Sequence, residues 1–177
     1  MARTNTAIRH GDKPLTVRGA SVELGGLAPD VTLVELTAKG LIDTPLRSLR
    51  GRAVLLSVVP SIDTSTCHAQ TKHLAAAIAE FGNDITACTV SLDLPFAQKR
   101  WAEHESCLQM RMLSDYKYRS FGEGFGVFID SLALLTRAVF VIDREGIVRY
   151  VDYVDNISDE PNYAPLLDAL STVLRVG

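Results

Sequence analysis

Cys67 is the residue whose type and position in this sequence have the clearest capacity for chemistry. It lies in the stretch PSIDTSTCHAQT, which begins at Pro60, and it follows a cluster of small hydroxyl residues. A cysteine in such a place can be a small buried hydrophobe, a metal ligand or a nucleophile. The free N–H groups and the dipole at the N-terminus of a helix favour the thiolate, which is the reactive form of cysteine. Position alone leaves the structural and the nucleophilic interpretations open.

The elements predicted on either side of Cys67 would place it at one edge of a sheet. The run RAVLLSVVP, from Arg52, is apolar and β-branched, which predicts a strand that is buried on both faces. TSTCHAQTKHLAAAIAEFG predicts a helix that is capped by one of residues 64–66 and ends at Gly82. Cys67 would then lie in the first helical turn, at the carboxyl end of the strand, where sites form in α/β sheets.

The remaining segments predict the element order of an α/β domain. LTVRGASVEL, from Leu15, suits a short hairpin, and RAVFVIDREGIVRYVDYV predicts a second hairpin around the turn D-R-E-G. PFAQKRWAEHESC predicts a helix with proline in its first turn, and PNYAPLLDALSTVLRV predicts an amphipathic final helix. One β-α-β crossover that feeds a mixed sheet predicts a thioredoxin-like α/β fold, in which helices flank a central mixed sheet and a β-hairpin lies at the N-terminus. Since no linker-like tract occurs, residues 1–177 should form a single domain.

Composition and charge argue against several classes of function. The formal net charge is -3 and no basic patch occurs, so we expect no nucleic-acid partner. No segment is apolar for long enough to span a bilayer, and the N-terminus lacks a secretory apolar region, so we expect no membrane association. Three cysteines, an odd number, are typical of a reducing compartment, and we expect a cytoplasmic protein.

The sequence contains no C-x-x-C or H-E-x-x-H pattern that would predict a metal site. Asp63, Asp93 and Asp143 lie at predicted strand ends, but nothing in the sequence pairs them for acid–base catalysis.

Three separated motifs of this sequence resemble those of one protein family. PSIDTSTC matches the peroxidatic motif P-x-x-x-T-x-x-C of peroxiredoxins, with Pro60, Thr64 and Cys67 in register. The string SVVPSIDTSTCHAQT, the downstream SLDLPFAQKRW, and RAVFVID followed later by DEPNY are similar to the bacterial thiol peroxidase branch of that family. The resemblance extends over nearly the whole chain, from the first predicted hairpin to the final helix.

The resemblance implies a role for each of four residues. Cys67 would be the peroxidatic cysteine, which attacks the terminal oxygen of a hydroperoxide and becomes a sulfenic acid. Thr64 would place its hydroxyl against the thiolate and the incoming peroxide. Pro60 would cover the pocket and limit the access of water. Arg137, from RAVFVID, would bring a permanent positive charge beside the sulfur and stabilise both the thiolate and the leaving group.

The same resemblance implies an activity and its partners. It implies thiol-dependent reduction of hydrogen peroxide or alkyl hydroperoxides without a bound cofactor. An external thiol, preferably thioredoxin, would supply the electrons, and the enzyme would form a homodimer. The alternative function is a redox sensor, in which Cys67 is oxidised and passes the signal to a partner without efficient turnover.

One residue that the resemblance calls for is absent. Thiol peroxidases of this branch carry a resolving cysteine directly after the aromatic residue of the PFAQ-x-R stretch, but here Trp101 is followed by Ala102. Cys107 lies five residues further on, which in a continuous helix is about 7.5 Å along the axis and about 140° around it. A disulfide requires Cα atoms within about 7 Å, so Cys107 would reach Cys67 only after local rearrangement. Either Cys107 resolves Cys67 or an external thiol reduces the sulfenic acid directly. Cys88 lies within the predicted strand ITACTVS and is expected to be inert core.

Overall fold

A seven-stranded mixed sheet forms the centre of the structure, a computed structural model that describes residues 8–176. The strands of this part of the chain, numbered in chain order, are β1 Arg9–His10, β2 Lys13–Pro14, β3 Val17–Arg18, β4 Thr32–Thr37, β5 Gly40–Pro45, β6 Ala53–Val58, β7 Ile85–Ser91, β8 Arg111–Ser114, β9 Phe128–Ile129, β10 Leu134–Leu135, β11 Ala138–Ile142 and β12 Val148–Tyr153. The α-helices are α1 Ser65–Ala77, α2 Pro95–His104, α3 Ser120–Gly124 and α4 Tyr163–Val176, and 3-10 helices cover Leu46–Leu49 and Ile78–Asp84. No helix among the described residues has the length and apolar character that crossing a membrane requires.

The central sheet brings the ends of three parallel strands to one edge. Its strand order is β12-β11-β6-β7-β8-β4-β5, in which β6, β7 and β8 are parallel neighbours and the outer strands pair antiparallel. The helix α1 connects β6 to β7, and α2 connects β7 to β8. The loops that leave β6 and β7 therefore start from the same edge, where α/β sheets build their sites. The predicted arrangement of helices around a central mixed sheet is confirmed.

The residues of the central strands alternate between two hydrophobic clusters. Leu56 and Phe140 belong to the first cluster, whereas Leu55 and Val139 belong to the second. Because successive side chains of a strand point to opposite faces, the two clusters cover opposite faces of the sheet. All six residues of β6 are buried. This explains why the sequence of β6 is a continuous apolar run and not an alternation of apolar and polar residues.

The hairpin predicted from LTVRGASVEL is wrong, although an N-terminal β-hairpin is present. The hairpin lies earlier in the chain, where β1 pairs with β2 around Gly11. Strand β3 pairs instead with β9, so Val17 lies opposite Ile129. Gly19 follows β3 with φ +93°, and a Cβ at this position would lie 2.0 Å from the backbone oxygen of Glu123. Alternating apolar and polar residues indicate a strand, but they carry no information on a partner that is more than a hundred residues away. The hairpin around D-R-E-G is confirmed as β11 and β12.

Both central helices begin where they were predicted but end earlier. α1 is α-helical as far as Ala77 and continues as a 3-10 helix to Asp84, with Gly82 in a non-helical conformation at φ +56°. Pro95 is the first residue of α2, as predicted, because proline lacks the N–H that has no partner there in any case. α2 ends at His104, before Cys107.

A buried carboxylate anchors the segment after β8. Asp115 is 0% exposed, and its carboxylate accepts hydrogen bonds from the backbone N–H groups of Phe121, at 3.1 Å, and Gly122, at 2.8 Å. Both N–H groups belong to the first turn of α3 and have no partner within the helix. Burial outweighs these hydrogen bonds and raises the pKa of Asp115 to about 6. The folded protein therefore holds the Asp115 proton more tightly than the unfolded chain does.

This pKa predicts a fall in stability with rising pH that Asp115→Asn should lack. Because the pKa is raised on folding, the stabilising contribution of Asp115 is complete below its ordinary pKa and is lost as the pH rises through about 6. Each pKa unit corresponds to about 1.4 kcal/mol, so the free energy of unfolding of the wild type, relative to Asp115→Asn, should fall by about 2 kcal/mol between pH 4.5 and 7.5. Urea denaturation across this range measures the difference, and parallel pH profiles for the two proteins would contradict the prediction.

Candidate active site

The loop between β6 and α1 places Cys67 against two polar side chains. Pro60 is buried just after β6, and α1 begins at Ser65, so Cys67 lies in the first helical turn. The side chain of Cys67 is 0% exposed. Its Sγ lies 2.7 Å from Thr64 Oγ1 and 3.4 Å from Arg137 Nη2. Cys67, Thr64 and Arg137, which were predicted to share a site, are thus in direct contact.

Thr64 is the residue that precedes α1, but its side chain does not cap the helix. Its backbone is extended, as in an N-cap, yet its hydroxyl makes no capping hydrogen bond. The hydroxyl lies instead between Cys67 Sγ and the carbonyl oxygen of Ser61, which is 3.2 Å away. A hydroxyl carries one hydrogen and can rotate it. It can therefore donate to a thiolate, or accept from the thiol while it donates to the Ser61 carbonyl.

Arg137 brings a buried positive charge to the sulfur. It directly precedes β11, is 1% exposed and donates from both Nε and Nη2 to the carbonyl oxygen of Ile157, at 3.1 and 2.9 Å. Within residues 8–176 no carboxylate forms an ion pair with its guanidinium. A buried cation without a counter-charge is costly, and the contact with Cys67 Sγ offers one if the sulfur is a thiolate. Among the described residues, Cys67 Sγ is the one hydrogen-bond partner of Arg137 that can carry a negative charge.

Gln70 is a residue of this site that the sequence analysis missed. It is 0% exposed, its Oε1 accepts a 2.6 Å hydrogen bond from Arg137 Nη1, and its Nε2 donates to Ser57 Oγ at 2.8 Å. Gln70 thus fixes the orientation of the guanidinium from the opposite side to Ile157. A signal was available, because Gln70 lies three residues after Cys67 and is a polar residue on the buried face of α1.

The end of α2 turns Cys107 back towards the interior. Ser106 has φ +55°, the N–H of Cys107 donates to the carbonyl oxygen of Ala102 at 2.9 Å, and the N–H of Ser106 donates to that of Glu103 at 3.4 Å. This hydrogen-bond pattern is a Schellman motif, which ends a helix with one left-handed residue. Cys107 and Ala102 are consequently buried in the same hydrophobic cluster. The offset of about 140° calculated for a continuous helix therefore does not apply, because α2 ends at His104, before Cys107.

The segment that carries Cys107 packs against α1, the helix that carries Cys67. Glu105 Oε2 accepts a hydrogen bond from Lys72 Nζ at 2.9 Å and lies 3.6 Å from His68 Nε2. Gln109 Nε2 donates to the carbonyl oxygen of Ala75 at 3.1 Å. The Cys107 side chain is 3% exposed, and burial raises the pKa of its thiol.

The three cysteines form no disulfide with one another. Cys88 lies inside β7, is 0% exposed and belongs to a hydrophobic core cluster. Burial raises the pKa of its thiol to about 12, which disfavours the reactive thiolate. Within residues 8–176, no group of three or more histidine, cysteine or acidic side chains is arranged to hold a metal ion.

Comparisons with known proteins relate the chain to one family. The family described as Redoxin matches residues 23–167. The thiol peroxidase of Bacillus subtilis (strain 168) is 40% identical over 162 residues, which cover 92% of this chain and 95% of that protein. The peroxiredoxin-like protein from Aquifex aeolicus has a structure with TM-score 0.88 and 31% identity, and the match covers 97% of this chain and 99% of the other. Reduced Prx3 from Vibrio vulnificus in complex with H2O2 matches with TM-score 0.72 and 29% identity over 84% of this chain and 99% of the other. The predicted thioredoxin-like fold is confirmed by these structures.

The contacts of Gln70 predict that Gln70→Ala slows the reactions of Cys67. The substitution leaves Nη1 of the buried Arg137 without its acceptor, so the guanidinium loses its fixed orientation towards the sulfur. We expect alkylation of Cys67 by iodoacetamide at pH 7, measured by peptide mass spectrometry, to be about tenfold slower than in the wild type. Gln109→Ala is the control, since Gln109 also donates to α1 but does not contact Arg137. Equal rates in the two variants would contradict this role of Gln70.

Proposed function

The chain belongs to the redoxin family and is a thiol peroxidase, and we propose that Cys67 is the cysteine that reduces the hydroperoxide. The observation that carries the assignment is the position of Cys67 Sγ between a hydroxyl and a buried guanidinium that has no carboxylate partner among the described residues. For Cys88 and Cys107, burial raises the pKa of the thiol and outweighs the opposite effect of the nearby cations Arg111 and Lys72, respectively.

In the proposed reaction, the Cys67 thiolate attacks the terminal oxygen of the hydroperoxide. The S–O bond forms as the O–O bond breaks, so sulfur is oxidised to a sulfenic acid and the peroxide is reduced. The leaving oxygen departs as an alkoxide or hydroxide and takes a proton to become an alcohol or water. Arg137 stabilises the negative charge both on the thiolate and on the leaving oxygen. Thr64 donates its hydroxyl hydrogen to the thiolate, and Pro60 shields the sulfur from water.

Two routes can complete the catalytic cycle, and each has an observation in its favour. In the first, the Cys107 thiol attacks the sulfenic acid, a disulfide forms and water leaves. The Schellman motif supports this route, because it turns Cys107 into the cluster that contains Ala102, the position after the aromatic residue. In the second, an external thiol attacks the sulfenic acid directly. The burial of Cys107 and the raised pKa of its thiol support this route.

We further propose an external thiol, with thioredoxin preferred, as the electron donor, and no bound cofactor. A homodimer is supported by Leu94 and Phe96, two large apolar side chains at the start of α2 that are more than half exposed. Light scattering of the native protein tests this assembly, and a monomer at micromolar concentration would contradict it.

A cytoplasmic location is supported by the three free thiols and is tested by cell fractionation. No observation favours the redox-sensor alternative.

Repeated turnover is the first expected outcome. With thioredoxin, thioredoxin reductase and NADPH, the wild type should consume many equivalents of hydrogen peroxide, because the oxidised cysteine is returned to the thiol. Cys67→Ser should lose the activity, since a hydroxyl at this position is not ionised at neutral pH. Cys88→Ala is the matched control and should retain it, because Cys88 lies in a core cluster. Oxidation of one equivalent without turnover would contradict the proposal and favour a sensor.

Intact-mass analysis after one equivalent of peroxide separates the two routes of resolution. If Cys107 resolves Cys67, the wild type loses two hydrogens, whereas Cys107→Ser gains one oxygen. If an external thiol is required, both proteins gain one oxygen. We expect the loss of two hydrogens in the wild type, because Cys107 faces the interior beside α1. Digestion of the wild type should then yield the peptides of Cys67 and Cys107 joined.

A further inference from the structure

Asp93 binds the loop that leads to Cys67, although the reaction described above does not use it. It follows β7 at the sheet edge from which the loop after β6 also starts. Its Oδ1 accepts a hydrogen bond from Ser61 Oγ at 2.8 Å, and its Oδ2 accepts one from the backbone N–H of Ile62, also at 2.8 Å. The Ser91 hydroxyl donates to the same Oδ2 at 2.7 Å. One carboxylate thus fixes two consecutive residues from a different strand connection.

The residues that Asp93 fixes are connected to the sulfur by a short series of hydrogen bonds. The carbonyl oxygen of Ser61 accepts a hydrogen bond from the backbone N–H of Thr64 at 3.2 Å, and it also lies 3.2 Å from the Thr64 hydroxyl oxygen. The same hydroxyl contacts Cys67 Sγ at 2.7 Å. The position of the Thr64 hydroxyl therefore depends on Ser61, and the position of Ser61 depends on Asp93.

The same network extends from Asp93 into α2. The Nε2 of Gln98 donates to Ser91 Oγ at 2.9 Å and to the carbonyl oxygen of Leu113 at 3.0 Å, and Gln98 is 0% exposed. Ser91 therefore joins Gln98 on α2 to Asp93. Loss of the hydrogen bonds of Asp93 would loosen the loop before Cys67 and the attachment of α2 to the sheet edge at the same time.

Burial of the sulfur requires this edge of the sheet to open during the cycle. Cys67 is 0% exposed, so an external thiol cannot reach its sulfur in the arrangement described, and no disulfide joins it to Cys107. We propose that Asp93 is a positioning residue that holds residues 61–64 in the arrangement that activates Cys67 and, through Ser91 and Gln98, ties their release to that of α2. The inference rests on the peroxidase function proposed for Cys67, because it concerns the activation and release of the same sulfur.

Two substitutions of Asp93 separate its hydrogen bonds from its charge. In Asp93→Ala all three acceptor contacts are lost. In Asp93→Asn the amide oxygen can accept from Ile62 and Ser91, and the amide nitrogen can donate to the Ser61 hydroxyl, so the geometry is retained without the charge. Asp84→Ala is the matched control, because it removes an exposed carboxylate before β7, at the opposite end of the same strand.

The first measurement is the alkylation of Cys67 by iodoacetamide as a function of pH, followed by peptide mass spectrometry. We expect the midpoint for Asp93→Ala to move to higher pH by about one pH unit, because the Thr64 hydroxyl is no longer held against the sulfur. The midpoints of Asp93→Asn and Asp84→Ala should stay within about 0.3 pH unit of the wild-type midpoint. An unchanged midpoint in Asp93→Ala would overturn the inference, and so would an equal shift in Asp93→Ala and Asp93→Asn. No peroxide is needed, so this result is independent of whether the proposed function holds.

The second measurement tests whether the loop and α2 are released together. Gln98→Ala should increase amide hydrogen exchange at Ile62 and Thr64 as well as in α2, although Gln98 does not contact the loop. Increased exchange confined to α2 would overturn the proposed coupling. If circular dichroism shows that Asp93→Ala does not fold, Ser61→Ala takes its place, since it removes the bond to Oδ1 and, besides that, only the long 3.4 Å hydrogen bond from the Asp63 N–H. It should move the alkylation midpoint in the same direction by a smaller amount, and an unchanged midpoint would overturn the inference.

Discussion

The burial of Arg137 without a carboxylate partner among the described residues is the constraint on which the rest of the site depends. A guanidinium remains charged at any pH that a protein tolerates, so the surrounding structure must compensate it. Two backbone-directed hydrogen bonds to Ile157 and one to Gln70 satisfy most of its donors, but these acceptors are neutral. The remaining contact is with Cys67 Sγ. Within residues 8–176, Cys67 Sγ is thus the one hydrogen-bond partner of Arg137 that can supply the opposite charge.

The sheet topology explains how residues from distant parts of the chain reach this charge. Cys67 comes from the loop after β6, and Arg137 comes from the start of β11, which pairs antiparallel with β6. The end of β6 and the start of β11 therefore lie side by side, as the pairing of Val58 with Ala138 shows. Asp93 reaches the same edge because β7 runs parallel to β6. Three segments of the chain thus meet at one place through strand pairing.

The burial of the Cys67 sulfur means that the proposed catalytic cycle requires a step in which the sulfur becomes accessible. A fully buried Cys67 is shielded from water and from large oxidants, yet it must later become accessible to a thiol. The hydrogen bonds of Asp93 favour the closed arrangement, and they are few enough to be broken during turnover. At the other end of α2, a single left-handed residue, Ser106, ends the helix and turns Cys107 inward. In the proposed cycle, the activation of the sulfur and its later release therefore both involve the ends of α2.

Motifs that resemble those of one family singled out Cys67, Thr64 and Arg137 as candidate site residues, whereas the helix start alone left the role of Cys67 open. The sequence by itself also predicted the β-α-β core, the D-R-E-G hairpin and the start of α2, because hydrophobic periodicity and proline are read over short windows. The pairing of β3 with β9, the contact of Gln70 with Arg137 and the network of Asp93 were decided by the tertiary structure. The direction of Cys107 was decided there too, since it depends on where α2 ends. The reason is the same in each case. Which residue a side chain or strand contacts depends on strand order and chain geometry, and the residue pattern within a single segment carries no information on either.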